Sequence, residues 1–447
     1  MNKNDIVTFN ITDYTAEGLG VGKYNGIAVF VPQTAIGDTV KVKIVKVKPN
    51  FAYGVVLENI KPSSDRINND CMYFGKCGGC VFRHIDYAAE LEFKKQRVYE
   101  SIKRIGGIDM PCREIVGSKF SDCYRNKAQF PFSPTCEVGF FAPRSHRVIP
   151  IKNCLLLPDK LNRIAEYVSD FIEEKQIPVY NEETGEGLVK HLYLRQGAIS
   201  GEIMVVLVIN GDDMPYSDVL TDKLLYMVGN SIKSIQLNIN KKRNNVILGD
   251  KNIVLYGDSY ITDTLCGIKV RLSPFTFYQV NHNMAEKLYK KATEYANPIG
   301  KSVIDLYCGA GTIGLQMANQ AKKIIGVEIV PEAVKDAKKN AYDNGIENAE
   351  FICGDAKFAA EQLAANNTVA DVIILDPPRK GCAEELLHTV ANGFSPQTIV
   401  YVSCDPATLA RDIKILNSLG YTLKDYTVFD MFPRTAHVET VCLLCKQ

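Results

Sequence analysis

Two groups of residues near the C-terminal end of the sequence have the types and spacing to do chemistry. Ser403-Cys404-Asp405-Pro406-Ala407-Thr408 follows the apolar run Thr398 to Val402, and Asp376-Pro377-Pro378-Arg379 follows the run Val372 to Leu375. Both runs read as buried strands, and ligands of open α/β sheets bind beyond the carboxyl ends of strands. A thiol placed there suggests covalent catalysis, because a thiolate both attacks and leaves readily. The bland alternative is a small buried hydrophobe, the commoner fate of a lone Cys.

Upstream, Gly309-Ala310-Gly311-Thr312-Ile313-Gly314 fits G-x-G-x-x-G between a strand and a helix. Glycines let the backbone approach a ligand, and the helix start offers free N–H groups. Dinucleotide folds and methyltransferases share this pattern, so alone it does not choose between them. Its neighbours favour S-adenosylmethionine. Asp305, just before the glycines, could reach the cofactor's ammonium directly or through water; a pyrophosphate would gain nothing from that charge. Glu328 ends the next strand, where a carboxylate can accept both ribose hydroxyl protons. Gly354-Asp355 follows a third strand, Glu350 to Ile352, and Asp355 could bond the adenine amino group. The structural alternative for Asp305 is a cap or turn residue.

A third group is Cys71, Cys77 and Cys80, a C-x5-C-x2-C pattern with Gly75, Gly78 and Gly79 between. Glycines let several sulfurs converge, so this is a strong metal signal. Zinc and iron–sulfur sites usually take four ligands. Cys154 is a plausible fourth, and Cys112, Cys123 and Cys136 stay open as alternatives. Cys77-Gly78-Gly79-Cys80 as a redox pair lacks the βαβ context of a thioredoxin. Cys442 and Cys445 lie in an apolar run and are expected to pack in a strand.

The elements that must position these groups follow from periodicity. Residues 6 to 60 show short β-rich segments, among them Ile6 to Phe9, Ile27 to Val31 and Lys41 to Lys48, which suggests a small barrel. Alternation puts Lys41 and Lys43 on one face and slips at Val45, as a bulge would make it; the two lysines read equally as a solvated edge or as RNA backbone contacts. Tyr87 to Ile105 reads as an amphipathic helix with Leu91, Val98, Ile102 and Ile105 inward, Lys94, Arg97, Lys103 and Arg104 elsewhere, and Gly106-Gly107 ending it. Residues 120 to 270 are mixed, with Ile203 to Ile209 an obvious strand. From about 284 onward, helices alternate with short apolar strands: Val303 to Leu306, Lys323 to Val327, Val372 to Leu375 and Thr398 to Val402. That is the signature of a doubly wound parallel sheet.

At 447 residues, two or three domains are expected, and 46% hydrophobic with 23% charged residues is ordinary for a globular protein. A net charge of +1 leaves any nucleic-acid affinity to local basic patches. The sequence shows no signal peptide and no membrane-length apolar run. The 14 cysteines are therefore expected as thiols, metal ligands or catalytic groups in a reducing cytoplasm.

Five strings in order make the resemblance specific: Ser273-Pro274-Phe275-Thr276-Phe277-Tyr278-Gln279-Val280-Asn281, Asp305-Leu306-Tyr307-Cys308-Gly309-Ala310-Gly311-Thr312, Asp376-Pro377-Pro378-Arg379, Ser403-Cys404-Asp405-Pro406 and Asp430-Met431-Phe432-Pro433. Over essentially its whole length the chain resembles the RNA uracil-C5 methyltransferases, in particular the branch that modifies 23S ribosomal RNA and carries an iron–sulfur cluster. The resemblance implies an α/β, Rossmann-like S-adenosylmethionine-dependent domain over 89–118 and 271–447. It implies a TRAM-like RNA-binding barrel over 1–60 and a mixed α+β iron–sulfur domain over 61–88 and 119–270. It implies that Gln279, Tyr307, Thr312, Glu328 and Asp376 line the cofactor and substrate pocket, with Asp355 close by. Thr312 stands where some relatives have Asn, and either can bond the cofactor. It implies Cys404 as nucleophile and Glu439 as base, with His437 the local alternative, and Cys71, Cys77, Cys80 and Cys154 as ligands of a [4Fe-4S] cluster with no redox part in methyl transfer.

That chemistry has a physical reason. C5 of uracil is too weak a nucleophile to attack a sulfonium methyl unaided; a thiolate added at C6 makes an enolate with charge at C5. The uracil must leave its stack to meet the thiol, so single-stranded or loop RNA is the expected target. Tyr124-Arg125-Asn126-Lys127 could touch RNA or serve the central sheet. 23S ribosomal RNA is the expected partner, the transfer-RNA T-loop the alternative, and the chain is expected to act as a monomer. Two rivals remain: a radical S-adenosylmethionine enzyme, which typically shows C-x3-C-x2-C in a barrel, and a non-catalytic RNA-binding protein, against which Cys404 and Glu439 in their strings argue.

Overall fold

The computed structural model describes residues 1–447. Strands β1 (Ile6–Tyr14), β2 (Gly20–Tyr24), β3 (Ile27–Val31), β4 (Thr39–Val47) and β5 (Phe51–Lys61) close into a barrel in the order β1-β2-β3-β5-β4. Alternate residues fill it, with Val29, Val31, Val40, Val42, Ile44 and Ala52 all buried. The phase slip at Val45 is a register shift: Ile44 faces Gly54, and Lys46 then faces Tyr53. Lys41 lies 4.0 Å from Glu58 on the solvated side.

After a loop carrying the cysteine group comes helix α1 (Tyr87–Arg104), capped by Asp86, which accepts from the Ala88 N–H at 2.8 Å. Its inward face differs from the expected one. Glu90, Lys94, Val98 and Ile102 are buried, whereas Ile105 is 41% exposed. The reason is a buried ion cluster: the Lys94 ammonium lies 2.6 Å from both Glu90 and Asp430, and all three side chains are fully buried. A lysine with two buried carboxylates to meet does not stay on the wet face. Strand β6 (Glu114–Val116) then joins the C-terminal sheet.

The middle of the chain contains β7 (Lys127–Pro131), the hairpin β8 (Gly139–Phe141) and β9 (Val148–Pro150), α2 (Asp159–Glu174), β10 (Val189–Gln196), β11 (Ile203–Ile209), α3 (Ser217–Val228), β12 (Ile232–Ile239) and β13 (Lys251–Gly257). Its sheet has the order β13-β12-β11-β10-β7, and α2 and α3 pack on it over one apolar core. β14 (Ile261–Leu265) and β15 (Ile268–Leu272) form a hairpin whose apolar side joins the next core.

The C-terminal part runs α4 (His282–Ala296), β16 (Ser302–Leu306), α5 (Thr312–Met317), β17 (Lys323–Glu328), α6 (Pro331–Asp343), β18 (Ala349–Cys353), α7 (Ala356–Ala365), β19 (Val372–Leu375), α8 (Glu384–His388), β20 (Thr398–Ser403), α9 (Pro406–Ser418), β21 (Tyr421–Phe429) and β22 (Glu439–Lys446). The sheet order is β18-β17-β16-β19-β20-β22-β21-β6. β16 to β20 are parallel, as expected; β16, β17, β19 and β20 are buried on both faces, and β18 is a partly exposed edge strand. β22, which holds buried Cys442, runs antiparallel between β20 and β21. This reversal brings the start of β22 to the same sheet end as the carboxyl ends of the parallel strands. The middle and C-terminal parts meet where the Asn126 N–H donates to the Val280 carbonyl at 2.9 Å.

Candidate active site

The glycine loop leaves β16 through Tyr307, which holds φ at 71°, an unfavourable value for a side chain of that size. The Tyr307 and Cys308 N–H groups both donate to the Val327 carbonyl at 3.0 Å and over-determine the turn. Gly311 has φ 80°, and a Cβ there would stand 2.9 Å from the Phe351 ring; Gly309, φ 56°, faces open space. The loop is therefore held tightly from behind and bare in front.

Carboxylates surround it. Asp305 is 1% exposed. One of its oxygens accepts from the Gly314 N–H at 3.1 Å, while Oδ1 is buried without a partner. Burial, then Asp376 and Glu328, pushes Asp305 up to about 8. Asp305 thus braces the start of α5 and keeps one buried oxygen free. Glu328 accepts from the Gly309 N–H at 3.1 Å and the Val330 N–H at 2.8 Å. Thr312, the first residue of α5, donates to the Tyr289 hydroxyl at 3.4 Å. Asp355 is exposed and caps α7, accepting from the Lys357 N–H at 3.0 Å. Gln279 is buried, its carbonyl accepting from Asn126 at 3.0 Å.

The thiol lies at the next strand ends. Ser403 pairs with Thr440 in the antiparallel register, which sets Cys404 and Glu439 opposite each other. Half-buried Cys404 is pushed up to about 11 by burial, with Glu439 and Asp376 adding to the rise and Arg379 opposing it. Glu439 is 5% exposed, and burial and Asp376 hold its carboxyl well above the usual range against the pull of Arg379. Burial raises Asp376 itself to about 7. His437, with its ring 6.0 Å from that of Phe432, is pushed down to about 4 by burial and by Arg379, Arg97, Lys94 and Arg125. A group that holds a proton so weakly is a poorer base than Glu439. Asp376 is the joint of the site, since its charge acts on Asp305 on one side and on Cys404 and Glu439 on the other.

The cysteine group lines a different cavity, which none of Cys404, Glu439 and Asp376 lines. Cys71, Cys77, Cys80 and Cys154 line one cavity of about 640 Å³ together with Tyr73, Phe74 and Arg83. Cys112, Cys123 and Cys136 do not line it. No group of three or more His, Cys, Asp or Glu side chains closes on a single-ion site. Sequence reasoning named the residues at the strand ends but gave no role to Arg379, the cation acting on both Cys404 and Glu439; its place directly after Asp376-Pro377-Pro378 was the available signal.

A glycine loop between β16 and α5, with acidic residues at the ends of successive parallel strands, defines a nucleotide-cofactor α/β fold of the methyltransferase kind. A sequence model of the tRNA (uracil-5-)-methyltransferase family matches residues 250–447, and one of the TRAM domain matches residues 3–57. An uncharacterised RNA methyltransferase of Halalkalibacterium halodurans is 44% identical over 99% of this chain and 98% of its own. Another, of Clostridium acetobutylicum, is 42% identical over 99% of this chain and 98% of its own. The structure of Pyrococcus abyssi tRNA (uracil-54, C5)-methyltransferase in complex with S-adenosyl-L-homocysteine superposes with a TM-score of 0.79 at 27% identity, covering 98% of this chain and 100% of that one. The chain belongs to the RNA (uracil-C5) methyltransferase family, with a TRAM domain at its N-terminal end. It is an S-adenosylmethionine-dependent enzyme acting on RNA. No helix is long and apolar enough to cross a membrane.

Proposed function

We propose that this enzyme methylates C5 of a uridine in 23S ribosomal RNA through a covalent adduct between Cys404 and C6 of the base. The carrying observation is the convergence of Cys404, Glu439 and Asp376 at one end of the sheet, beside the glycine loop. Cys404 gives up its proton to solvent, and the thiolate sulfur then bonds C6 as the C5–C6 π electrons move toward C5 and O4. C5 then takes the methyl group, and S-adenosylhomocysteine departs. The Glu439 carboxylate removes the C5 proton, the C5–C6 double bond re-forms, and the thiolate is expelled. Asp305, with its free buried oxygen, is the complement of the donor's ammonium; Glu328 and Asp355 offer acceptors to ribose and adenine, and Gln279, Tyr307, Thr312 and Asp376 complete the pocket.

In this reading the barrel, the discontinuous middle domain and the discontinuous catalytic domain divide the chain at 1–60, 61–88 with 119–270, and 89–118 with 271–447. Cys71, Cys77, Cys80 and Cys154 would hold a [4Fe-4S] cluster, which would order the loop between the barrel and α1 and help to place RNA. All four sulfurs line one cavity, which is what supports their acting together on one group.

Two variants test the chemistry. Cys404→Ala is expected to abolish methylation of uracil-containing RNA, and turnover at the normal rate would sink the mechanism. Glu439→Gln is expected to trap the adduct as a protein–RNA band that survives denaturing electrophoresis; no band would move the base role elsewhere. The second reading is the T-loop uridine of transfer RNA, favoured by the whole-chain similarity to the Pyrococcus abyssi enzyme. Mapping 5-methyluridine in ribosomal and transfer RNA from a strain lacking the gene decides between them.

A further inference from the structure

Helix α9 begins two residues after Cys404 and is tied by side chains to the turn that carries Arg379. The Thr408 hydroxyl donates to the Arg379 carbonyl at 3.1 Å. The Arg411 guanidinium donates to the Lys380 carbonyl at 3.0 Å and the Cys382 carbonyl at 3.2 Å. Fully buried Asp412 accepts from the Cys382 N–H at 2.8 Å, the Tyr401 hydroxyl at 2.6 Å and the Arg411 Nε at 2.8 Å. Gly381, φ 75°, lies so close that a Cβ would stand 2.5 Å from Arg411 and 2.6 Å from Asp412.

A surface turn does not need a buried carboxylate to close it, and burying one is costly unless its oxygens are bonded. Here both oxygens are used: Oδ2 holds the Cys382 N–H and the Tyr401 hydroxyl, and Oδ1 orients Arg411, which in turn holds the Lys380 and Cys382 carbonyls. The Arg379 backbone is held while the residue itself stays exposed. The groups that act on the Cys404 thiol come from three directions: Glu439 from β22, Asp376 from the end of β19, and Arg379 from this turn. Arg379 is the one cation among them. A helix that starts beside the thiol and grips the turn sets the distance between the two.

We propose that Asp412, with Arg411 and Thr408, is a positioning device of the active site: α9 holds the 378–382 turn so that the Arg379 guanidinium faces the Cys404 thiol. The proposal rests on Cys404 as the reacting thiol, but its test does not. The measurement is the rate of iodoacetamide alkylation of Cys404 in the full-length protein at a fixed pH of about 8.5, resolved by peptide mass spectrometry, without RNA or cofactor. Below the thiol's midpoint this rate follows the thiolate fraction. Arg379→Met should slow it severalfold. Thr408→Val, which removes one tether and leaves the buried Asp412 intact, should slow it about threefold, equal to a midpoint rise of about half a unit. Asp412→Asn should slow it further. Thr408→Val placed on Arg379→Met should add nothing, because the tether acts through the missing guanidinium.

Wild-type alkylation in Thr408→Val, or full additivity of the two changes, overturns the proposal. If Asp412→Asn does not fold, Thr408→Val and the double variant still decide. Methyl transfer by Cys404→Ala would refute the nucleophile assignment and leave the alkylation result standing, so the two failures are distinguishable.

Discussion

Replacing Lys94 with Met removes the cation that bridges two sealed carboxylates and leaves only the Arg434 guanidinium, 3.8 Å from Glu90. In the intact protein Lys94 bridges Glu90 and Asp430 at 2.6 Å each and donates to the Phe432 carbonyl at 3.2 Å. The Tyr87 hydroxyl donates to Asp430 at 2.6 Å, and the Arg434 N–H donates to Glu90 at 2.7 Å. Without the ammonium, two buried carboxylates face each other. Removing one partner of a buried ion pair costs about 3–5 kcal/mol. The cost should depend on pH. Burial, only partly offset by Lys94, already raises Glu90 from 4.5 to about 7. A folded value above the unfolded one means stability present at low pH and lost as pH rises through about 7. Losing Lys94 raises Glu90 further, so the variant falls behind wild type by up to about 1.4 kcal/mol per pH unit above neutrality. With Trp absent, circular dichroism and hydrogen exchange in α1 are the suitable probes. Lys94→Met should lose protection in α1 and in residues 430–434, more at pH 8.5 than at pH 6.5, and Lys94→Met with Glu90→Gln should recover part of it. A loss below about 1 kcal/mol, or one equal at both pH values, would refute the reasoning.

Asp305→Asn should weaken S-adenosylmethionine binding by about 1.5–3 kcal/mol, roughly 10- to 100-fold by calorimetry, since it removes an acceptor that an arriving ammonium would ionise; unchanged affinity would assign Asp305 to bracing α5 alone. The methylation rate under subsaturating RNA should climb with pH through and above neutrality, because the raised Cys404 and Glu439 must both lose protons to act; a rate that falls over that range would contradict these roles. Cys154→Ser should lower the iron and sulfide content and the visible absorbance of protein purified without oxygen, while Cys123→Ser, at an exposed residue outside the cavity, should not.

What could be read from the sequence was what is local. Ile27–Val31, Ile203–Ile209 and Val372–Leu375 are strands because short runs rich in branched side chains, bounded by turn residues, fit a buried sheet. The bulge at Val45 showed as a slip in alternation. What could not be read depends on partners distant in the chain. Lys94 looks like a wet-face residue until Asp430, 336 positions away, arrives to bury it. The three residues of β6 have no strand signal of their own and form one only against β21. The site followed the same division. Cys404, Asp376 and the glycine loop stand at strand ends, where periodicity pointed. Asp412 has the look of an ordinary polar residue within a helix, and only the fold reveals the turn it grips.

The electrostatics of the cleft also say when the thiol should become reactive. In the free protein Cys404 is pushed up to about 11 by burial first, and then by two carboxylates that outweigh one guanidinium. A bound sulfonium adds a positive charge, whereas S-adenosylhomocysteine, otherwise alike, has a neutral thioether at that place. C5 and C6 of uracil are bonded neighbours, so the donor sulfur and the thiol must come within roughly 6–8 Å of each other. At an effective dielectric of about 40, a unit charge at that distance is worth about 1 kcal/mol, or about a fivefold gain in thiolate. Cys404 should therefore alkylate several times faster in the S-adenosylmethionine complex than in the S-adenosylhomocysteine complex at the same pH, and the gap should narrow in high salt only slightly, since the charges are screened from solvent. Equal rates in the two complexes would mean that the donor's charge does not reach the thiol, and that activation must come from the RNA instead.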